Sequence, residues 1–192
     1  MIKVGITGGI GSGKSVVCSV FDKLGIPVFS ADNAAIALME KNQLVKTRLI
    51  ALLGNDIYLK NGALDRKKMA GIIFNDQIVL RKVNEIVHPA VRNEFNSWAE
   101  KQTSVYVVQE AAILFESGQT GFFDKIVLVI APLEMRIERV MQRDNTTRDK
   151  VLERMKNQWP DTKKIEQSDF VVLNDNSAMV LPQILEIHQK LG

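Results

Sequence analysis

Two rhythms of apolar residues run along the chain. Short, mainly apolar stretches recur at residues 2–7, 105–108, 126–130 and 170–173. Such unbroken runs suit strands covered on both faces better than strands with one face in water. Residues 27–32, Pro-Val-Phe-Ser-Ala-Asp, read as one more short strand, ending in an acid. Between these runs the apolar positions fall at helical spacing. Val16, Val17, Val20, Phe21 and Leu24 share a face after the first run, and Leu133, Ile137, Val140 and Met141 share another. Val180 to Leu191 is predicted as a closing helix. Strands alternating with helices make a right-handed, mostly parallel α/β sheet the natural architecture.

Residues 33–102 break that alternation, because they read as helical almost throughout. Ala35, Leu38 and Met39 share a face, as do Met69, Ile72 and Ile73, then Val79, Leu80, Val83, Ile86 and Val87. Gly54-Asn55-Asp56 and Lys60-Asn61-Gly62 are turn signals, the second in a hairpin-like setting. His88-Pro89 is expected to interrupt the helix that begins near Gln77. An insertion this long between two strands exceeds a minimal crossover and predicts a substrate-holding subdomain.

The chemistry starts where the first strand stops. Gly8-Gly9-Ile10-Gly11-Ser12-Gly13-Lys14-Ser15 fits G-x-x-x-x-G-K-[ST], the loop that wraps a nucleoside triphosphate. Glycines allow positive φ and close approach to phosphate oxygens. The backbone N–H groups and the positive end of the next helix form an anion nest. Gly9, Gly11, Ser12, Gly13, Lys14, Ser15 and Val16 are the candidate nucleotide contacts. Lys14 would reach the β- and γ-phosphates, and the Ser15 hydroxyl would ligate Mg²⁺. A second cationic element lies on the helix after the fourth strand, where Arg136, Arg139 and Arg143 form an i, i+3, i+7 stripe. Thr146-Thr147-Arg148-Asp149 reads as a turn with a capping box. The helix–turn–helix flap beyond it carries Arg148, Lys150, Arg154, Lys156, Lys163 and Lys164, a basic lid over the triphosphate. Phosphoryl transfer also needs an oriented hydroxyl and a place for its proton. Asp32, at a strand's carboxyl end, is the candidate, with helix capping as its structural alternative.

Composition bounds this picture without sharpening it. The chain has 192 residues, 46% hydrophobic and 24% charged, with a net charge of +3. That balance is globular and implies neither nucleic acid nor a membrane. Cys18, the single cysteine, excludes an internal disulfide and is expected in the core of a cytoplasmic enzyme. His188 reads as structural, and so does His88 on spacing alone.

Across nearly its whole length the sequence resembles dephospho-coenzyme A kinases. The resemblance is carried by residues 5–15, by Ala31-Asp32, Asp65-Arg66, His88-Pro89 and Leu114-Phe115-Glu116, and by Arg139, Arg143-Asp144, Gln158 and Asp169. It implies ATP-dependent phosphorylation of the ribose 3′-hydroxyl of dephospho-coenzyme A, with Mg²⁺. It also implies a three-layer α/β/α fold of the P-loop nucleotide-kinase type, with a five-stranded parallel sheet, a helical insertion and a lid. Residues 1–32, 103–134 and 167–192 would form the nucleotide-binding core of one kinase domain, 33–102 the acceptor-binding subdomain, and 135–166 the lid. Carried over, Asp32, Lys14, Arg139 and Arg143 are the catalytic candidates. Arg66, His88 and Phe115 fall where the family holds its acceptor, and Asn174 falls near the adenine. Four positions depart from the family pattern. Ser30 replaces an acid, Ala112 a proline and Arg136 a glutamine, and Asn174-Asp175-Asn176 lacks a glycine. Two other classes compete. Another small P-loop kinase, acting on a nucleoside monophosphate or metabolite alcohol, would share the core. A nucleotide switch would need an Asn-Lys-x-Asp motif, which does not occur.

Overall fold

The structure, a computed structural model, describes the backbone of residues 1–192 and every side chain except those of residues 74 and 75. It forms two compact units, residues 1–30 with 102–192, and residues 31–101.

The first unit is built on a parallel sheet of five strands: β1 (Ile2–Gly8), β2 (Val28–Ser30), β3 (Tyr106–Glu110), β4 (Lys125–Ile130) and β5 (Phe170–Leu173). Their order across the sheet is β2-β3-β1-β4-β5, and every neighbouring pair is parallel. The period-two alternation of a strand explains how one apolar run serves two layers. Val4 and Ile6 of β1, with Val127 and Val129 of β4, face a core shared with Val17, Cys18 and Phe21 of α1 (Lys14–Lys23) and Ile184, Ile187 and Leu191 of α9 (Val180–Leu191). The intervening Ile126 and Leu128 face the opposite side, with Leu114 and Phe115. Gly5 points that way too, and a Cβ there would stand 2.6 Å from Leu114 and 3.0 Å from Phe123. The loop after β3 can therefore close against the sheet only over a glycine.

Two strands differ from expectation at their ends. β3 starts at Tyr106, leaving Val105 exposed, and continues through the polar Gln109 and Glu110. Those two residues stay in the ladder because β1 flanks them at Gly5 and Ile6, and β2 at Phe29 and Ser30. Backbone pairing on both sides outweighs side-chain polarity. β2 ends at Ser30 rather than Asp32, since Ser30 pairs with Glu110, the last residue of β3. The chain then turns straight into α2 (Ala31–Lys41), which puts Asp32 in a helix's first turn.

The second unit contains α2, α3 (Gln43–Leu53), α4 (Arg66–Asn75) and α5 (Gln77–Ala99). Short polar side chains start three of these helices. Asn42 accepts the Val45 N–H at 3.1 Å, Asp65 the Lys68 N–H at 3.0 Å, and Asp76 the Ile78 N–H at 2.8 Å. The Asn-Gly turn carries an antiparallel bridge between Tyr58 and Leu64, with Gly62 at φ 82°.

His88-Pro89 does not interrupt α5, which runs through it for 23 residues. A helix-internal proline costs about 3 kcal/mol. Val83, Val87, Val91, Phe95 and Ala99 form one buried stripe on both sides of it, and α2, α3 and α4 all pack on α5. At roughly 1.5–3 kcal/mol for each large apolar side chain buried, that stripe wins. A cavity of about 260 Å³ in this unit is lined by Leu38, Val45, Arg48, Ile86, Pro89 and Asn93 among others. None of the site candidates lines it.

Phe95→Ala should test the stripe, because Phe95 is fully buried on α5. It is expected to destabilise the chain by about 3–5 kcal/mol, read as a lower midpoint in urea unfolding. A midpoint equal to that of the parent would contradict this packing.

Candidate active site

β1 ends in the middle of the sheet, between β3 and β4, and the glycine-rich loop leaves from its carboxyl end. That is where strand order reverses in an open parallel sheet and where ligands bind. Gly11 and Gly13 adopt left-handed φ values of 80° and 93°. Gly13 is the N-cap of α1, and no side chain caps the helix. Its positive end therefore faces outward from a tight turn, as an anion nest requires. Close neighbours demand glycine as well. A Cβ on Gly13 would overlap the Asn174 amide, and one on Gly9 would overlap the Arg136 guanidinium.

A cavity of about 280 Å³ opens over this turn, lined by Gly11, Gly13, Lys14, Ser15, Glu110, Arg139, Val140 and Arg143. Lys14 Nζ reaches back across the loop to the Gly8 carbonyl at 3.0 Å. Six sequence-predicted residues thus meet in one place. The donor set suits a polyphosphate with Mg²⁺: a lysine, two arginines, a hydroxyl and a helix N-terminus, with the Glu110 carboxylate beside them. Magnesium keeps several waters and takes few protein ligands beyond phosphate oxygens. Among the described residues no group of three or more His, Cys, Asp or Glu could hold a metal alone. The Ser15 hydroxyl and the nearby carboxylate match that mode of binding.

The arginine stripe does not act as a set. All three residues lie on α6 (Leu133–Asp144), but they separate by environment. Arg136 is buried, donates to the Ile10 carbonyl at 3.0 Å, and pairs with Asp161 at 2.9 Å. Arg139 lines the cavity and donates to the Asn174 carbonyl at 3.1 Å and to Asn176 Oδ1 at 3.3 Å. Arg143 also lines it, held side-on by Asp144 at 2.7 and 3.1 Å. Asp144 also receives Arg154 at 2.7 Å. Hydrogen bonds from Arg143 and then Arg154 hold its carboxyl far below the usual range. Leu133, expected on the apolar face, is 51% exposed.

The flap is less free and less basic than its sequence implies. Thr147 stands at the N-cap of α7 (Arg148–Met155), but its side chain makes no capping bond. Arg148 is taken by Glu134 at 2.6 and 2.8 Å. Lys163 lies 3.4 Å from the Trp159 ring centroid. Lys164, in α8 (Asp161–Ile165), is fully buried against Glu116 at 2.7 Å. It is a core charge pair, not a lid cation.

The other candidates scatter. Asn174 donates to the Ser12 carbonyl at 2.9 Å, so its amide braces the loop. Ser12 is fully buried, its N–H donating to the Gly9 carbonyl at 3.0 Å and its carbonyl accepting from Asn174, so it shapes the loop from inside. Val16 is half exposed. Phe115 is a core residue, 2% exposed and stacked on Trp159. In the helical unit, Arg66 begins α4 and pairs with Glu40 at 3.4 Å. Glu40 lies eight residues along α2 from Asp32, about 12 Å at the rise of a helix. His88 sits within α5, its pKa lowered by burial and then by Arg92. Burial raises the Cys18 thiol to about 12, so it stays protonated. His188 Nδ1 meets the Tyr106 hydroxyl at 2.6 Å, a structural pair.

The place of Glu110 in the cavity and the bond that Gln158 makes to the loop are not legible in the local sequence. Glu110 reads in sequence as the tail of a strand, and only its register beside Ile6 brings it to the cavity. Gln158 accepts the Ile10 N–H at 2.8 Å from far along the chain, and no local pattern signals that bond.

A family model described as dephospho-CoA kinase matches residues 2–179. A Porphyromonas gingivalis dephospho-CoA kinase is 39% identical over 188 residues, covering 97% of this chain and 93% of the relative. A Bacteroides fragilis dephospho-CoA kinase is 37% identical over 187 residues, covering 97% and 91%. A crystal structure of a Thermus thermophilus protein superimposes with a TM-score of 0.88 at 33% identity, covering 98% of this chain and 96% of that one.

Gly13→Ala is expected to weaken binding of a non-hydrolysable nucleoside triphosphate at least about tenfold, a loss of 1.4 kcal/mol or more. A Cβ there is strained at φ 93° and displaces the Asn174 amide that braces the loop. Unchanged affinity by titration calorimetry would contradict the nest.

Proposed function

The chain belongs to the dephospho-CoA kinase family, and we propose which of its residues carry the reaction and how. It is a kinase that transfers a phosphoryl group from ATP to dephospho-CoA, the final step of coenzyme A synthesis. Nothing in these relatives favours a nucleoside monophosphate or simple alcohol as acceptor. The observation that supports the division of roles below is the cavity over the left-handed Gly11 and Gly13 turn. It gathers Lys14, Ser15, Arg139 and Arg143 at the free end of α1.

In that division the loop backbone and Lys14 hold the β- and γ-phosphates. The bond from the γ-phosphorus to the bridging oxygen of ADP breaks as the bond to the ribose 3′-oxygen forms. Negative charge on the equatorial oxygens of the moving group is met by Lys14 and Arg139, both already fixed by hydrogen bonds to backbone carbonyls. Preorganised donors cost little reorganisation when charge develops. Arg143 is oriented side-on by Asp144, whose carboxyl the Arg143 and Arg154 guanidinium groups hold well below the usual range. The Ser15 hydroxyl would hold Mg²⁺, which would supply further positive charge to the triphosphate. Asn174 supports the nucleotide side by bracing Ser12.

Asp32 is assigned to the acceptor hydroxyl. As the 3′-oxygen attacks, its proton passes to a carboxylate oxygen of Asp32, which balances the transfer. Asp32 stands in the first turn of α2, at the carboxyl end of β2. The helical unit, residues 31–101, would hold the acceptor, with Arg66 and His88 contributing from α4 and α5. Residues 135–166 would act as the lid. The lone buried thiol, Cys18, fits a reducing, cytoplasmic setting.

Asp32→Asn is expected to lower kcat by about 10²–10⁴, the usual worth of general-base catalysis, while leaving the Kd for ATP within about twofold. Near-parental turnover would remove Asp32 from the proton's path. Arg139→Ala should lower kcat by about 10²-fold or more, whereas Lys163→Ala, which loses only a ring contact, should change it less than about threefold. Equal effects in steady-state assays would make Arg139 no more than a solvated charge.

A further inference from the structure

Ile10, at the crown of the phosphate loop, has both backbone polar groups taken by side chains far away in sequence. Its carbonyl accepts from Arg136 Nε at 3.0 Å, and its N–H donates to Gln158 Oε1 at 2.8 Å. Gln158 in turn donates to the Ala112 carbonyl at 3.3 Å. The Ile10 side chain packs with Ile137 and Val140 of α6 and Val151 of α7. Arg136 is 8% exposed, and its charge is met by Asp161, the first residue of α8, at 2.9 Å. A cation neutralised in this way has little left for a phosphate. Its influence on the site has to pass through the backbone it holds.

That influence follows from peptide geometry. In a trans peptide the carbonyl and the following N–H point in opposite directions, and no peptide bond here is cis. Drawing the Ile10 carbonyl toward Arg136 turns the Gly11 N–H the other way, and Gly11 lines the triphosphate cavity. The Arg136 backbone also fits closely against Gly11, where a Cβ would overlap its carbonyl oxygen.

We propose that Arg136 is a positioning residue for the triphosphate: its bond to the Ile10 carbonyl, supported by Gln158 on the Ile10 N–H, sets the Gly11 peptide so that its N–H serves the anion nest. The pair with Asp161 neutralises Arg136 and is secondary to this role. The inference rests on the reading of the loop as the ATP site.

The test separates the hydrogen bond from the charge, with a non-hydrolysable ATP analogue as the calorimetric probe. Arg136→Met fills the space without a donor and should raise the Kd of the analogue about tenfold. The KM for ATP should rise in parallel, while the KM for dephospho-CoA stays within about twofold. Arg136→Gln restores a neutral donor on a shorter stem and should recover most of that affinity. Asp161→Asn removes the charge but leaves Arg136 on Ile10, so the Kd should stay within about twofold even where the melting temperature falls. If Arg136→Met does not fold, Gln158→Met removes the companion bond without stranding a buried charge, and should likewise weaken the analogue about tenfold. Unaltered analogue binding in the Met variants would overturn the assignment. So would a Gln variant as weak as Arg136→Met, or equal rises in KM for both substrates. A parent chain that does not bind the analogue would overturn the ATP-site reading itself, a separate failure from any confined to the variants.

Discussion

A phosphate nest needs backbone N–H groups gathered around one point at the edge of a sheet, and its glycines have no side chains to hold the shape. Most of what surrounds residues 8–15 answers that constraint. Gly11 and Gly13 take left-handed turns that other residues would strain against. Arg136, Gln158 and Asn174 then grip the loop backbone at Ile10 and Ser12. Lys14 spans the loop to Gly8. The sheet beneath fixes the starting point, because β1 lies between β3 and β4 with Val4 and Ile6 fully buried. A loop this rich in glycine would lose much entropy on ordering, and the side chains that brace it offset that loss.

The same constraint explains how the cations are distributed. An unpaired charge near a triphosphate site attracts ligand, but it also wanders. Here the arginines that line the cavity are tied down, Arg139 by carbonyl and amide oxygens and Arg143 by Asp144. Several cations that do not line it are met by carboxylates instead: Arg136 by Asp161, Arg148 by Glu134, Arg154 by Asp144 and Lys164 by Glu116. The exposed pairs add little stability. What they supply is order, since each settles where a long side chain points.

Legibility from sequence followed the range of the interactions involved. The phosphate loop, β5 and α9 were readable because local periodicity and local turn chemistry decide them. Helix α5 was misread at Pro89, because the stripe from Val83 to Ala99 that overrides a proline is visible only once its packing partners are known. The reach of β3 through Gln109 and Glu110 depends on strands on both sides of it, which no single run of residues displays. Arg136 and Lys164 were counted among free cations for the same reason. The carboxylates that claim them, Asp161 and Glu116, are distant in sequence. Phe115 likewise turned from a candidate contact into core when its stacking on Trp159 appeared.

Phosphoryl transfer from ATP to dephospho-CoA is the reaction that this loop and its bracing are proposed to serve. The most direct measurement is ADP release with Mg²⁺-ATP and dephospho-CoA, beside a panel of nucleoside monophosphates, adenosine and simple alcohols, with the product's phosphorylated oxygen identified by NMR. Turnover confined to dephospho-CoA, with the new phosphate on the ribose 3′-oxygen, is the expected result. Turnover on a monophosphate, or phosphate on any other oxygen of the acceptor, would contradict it.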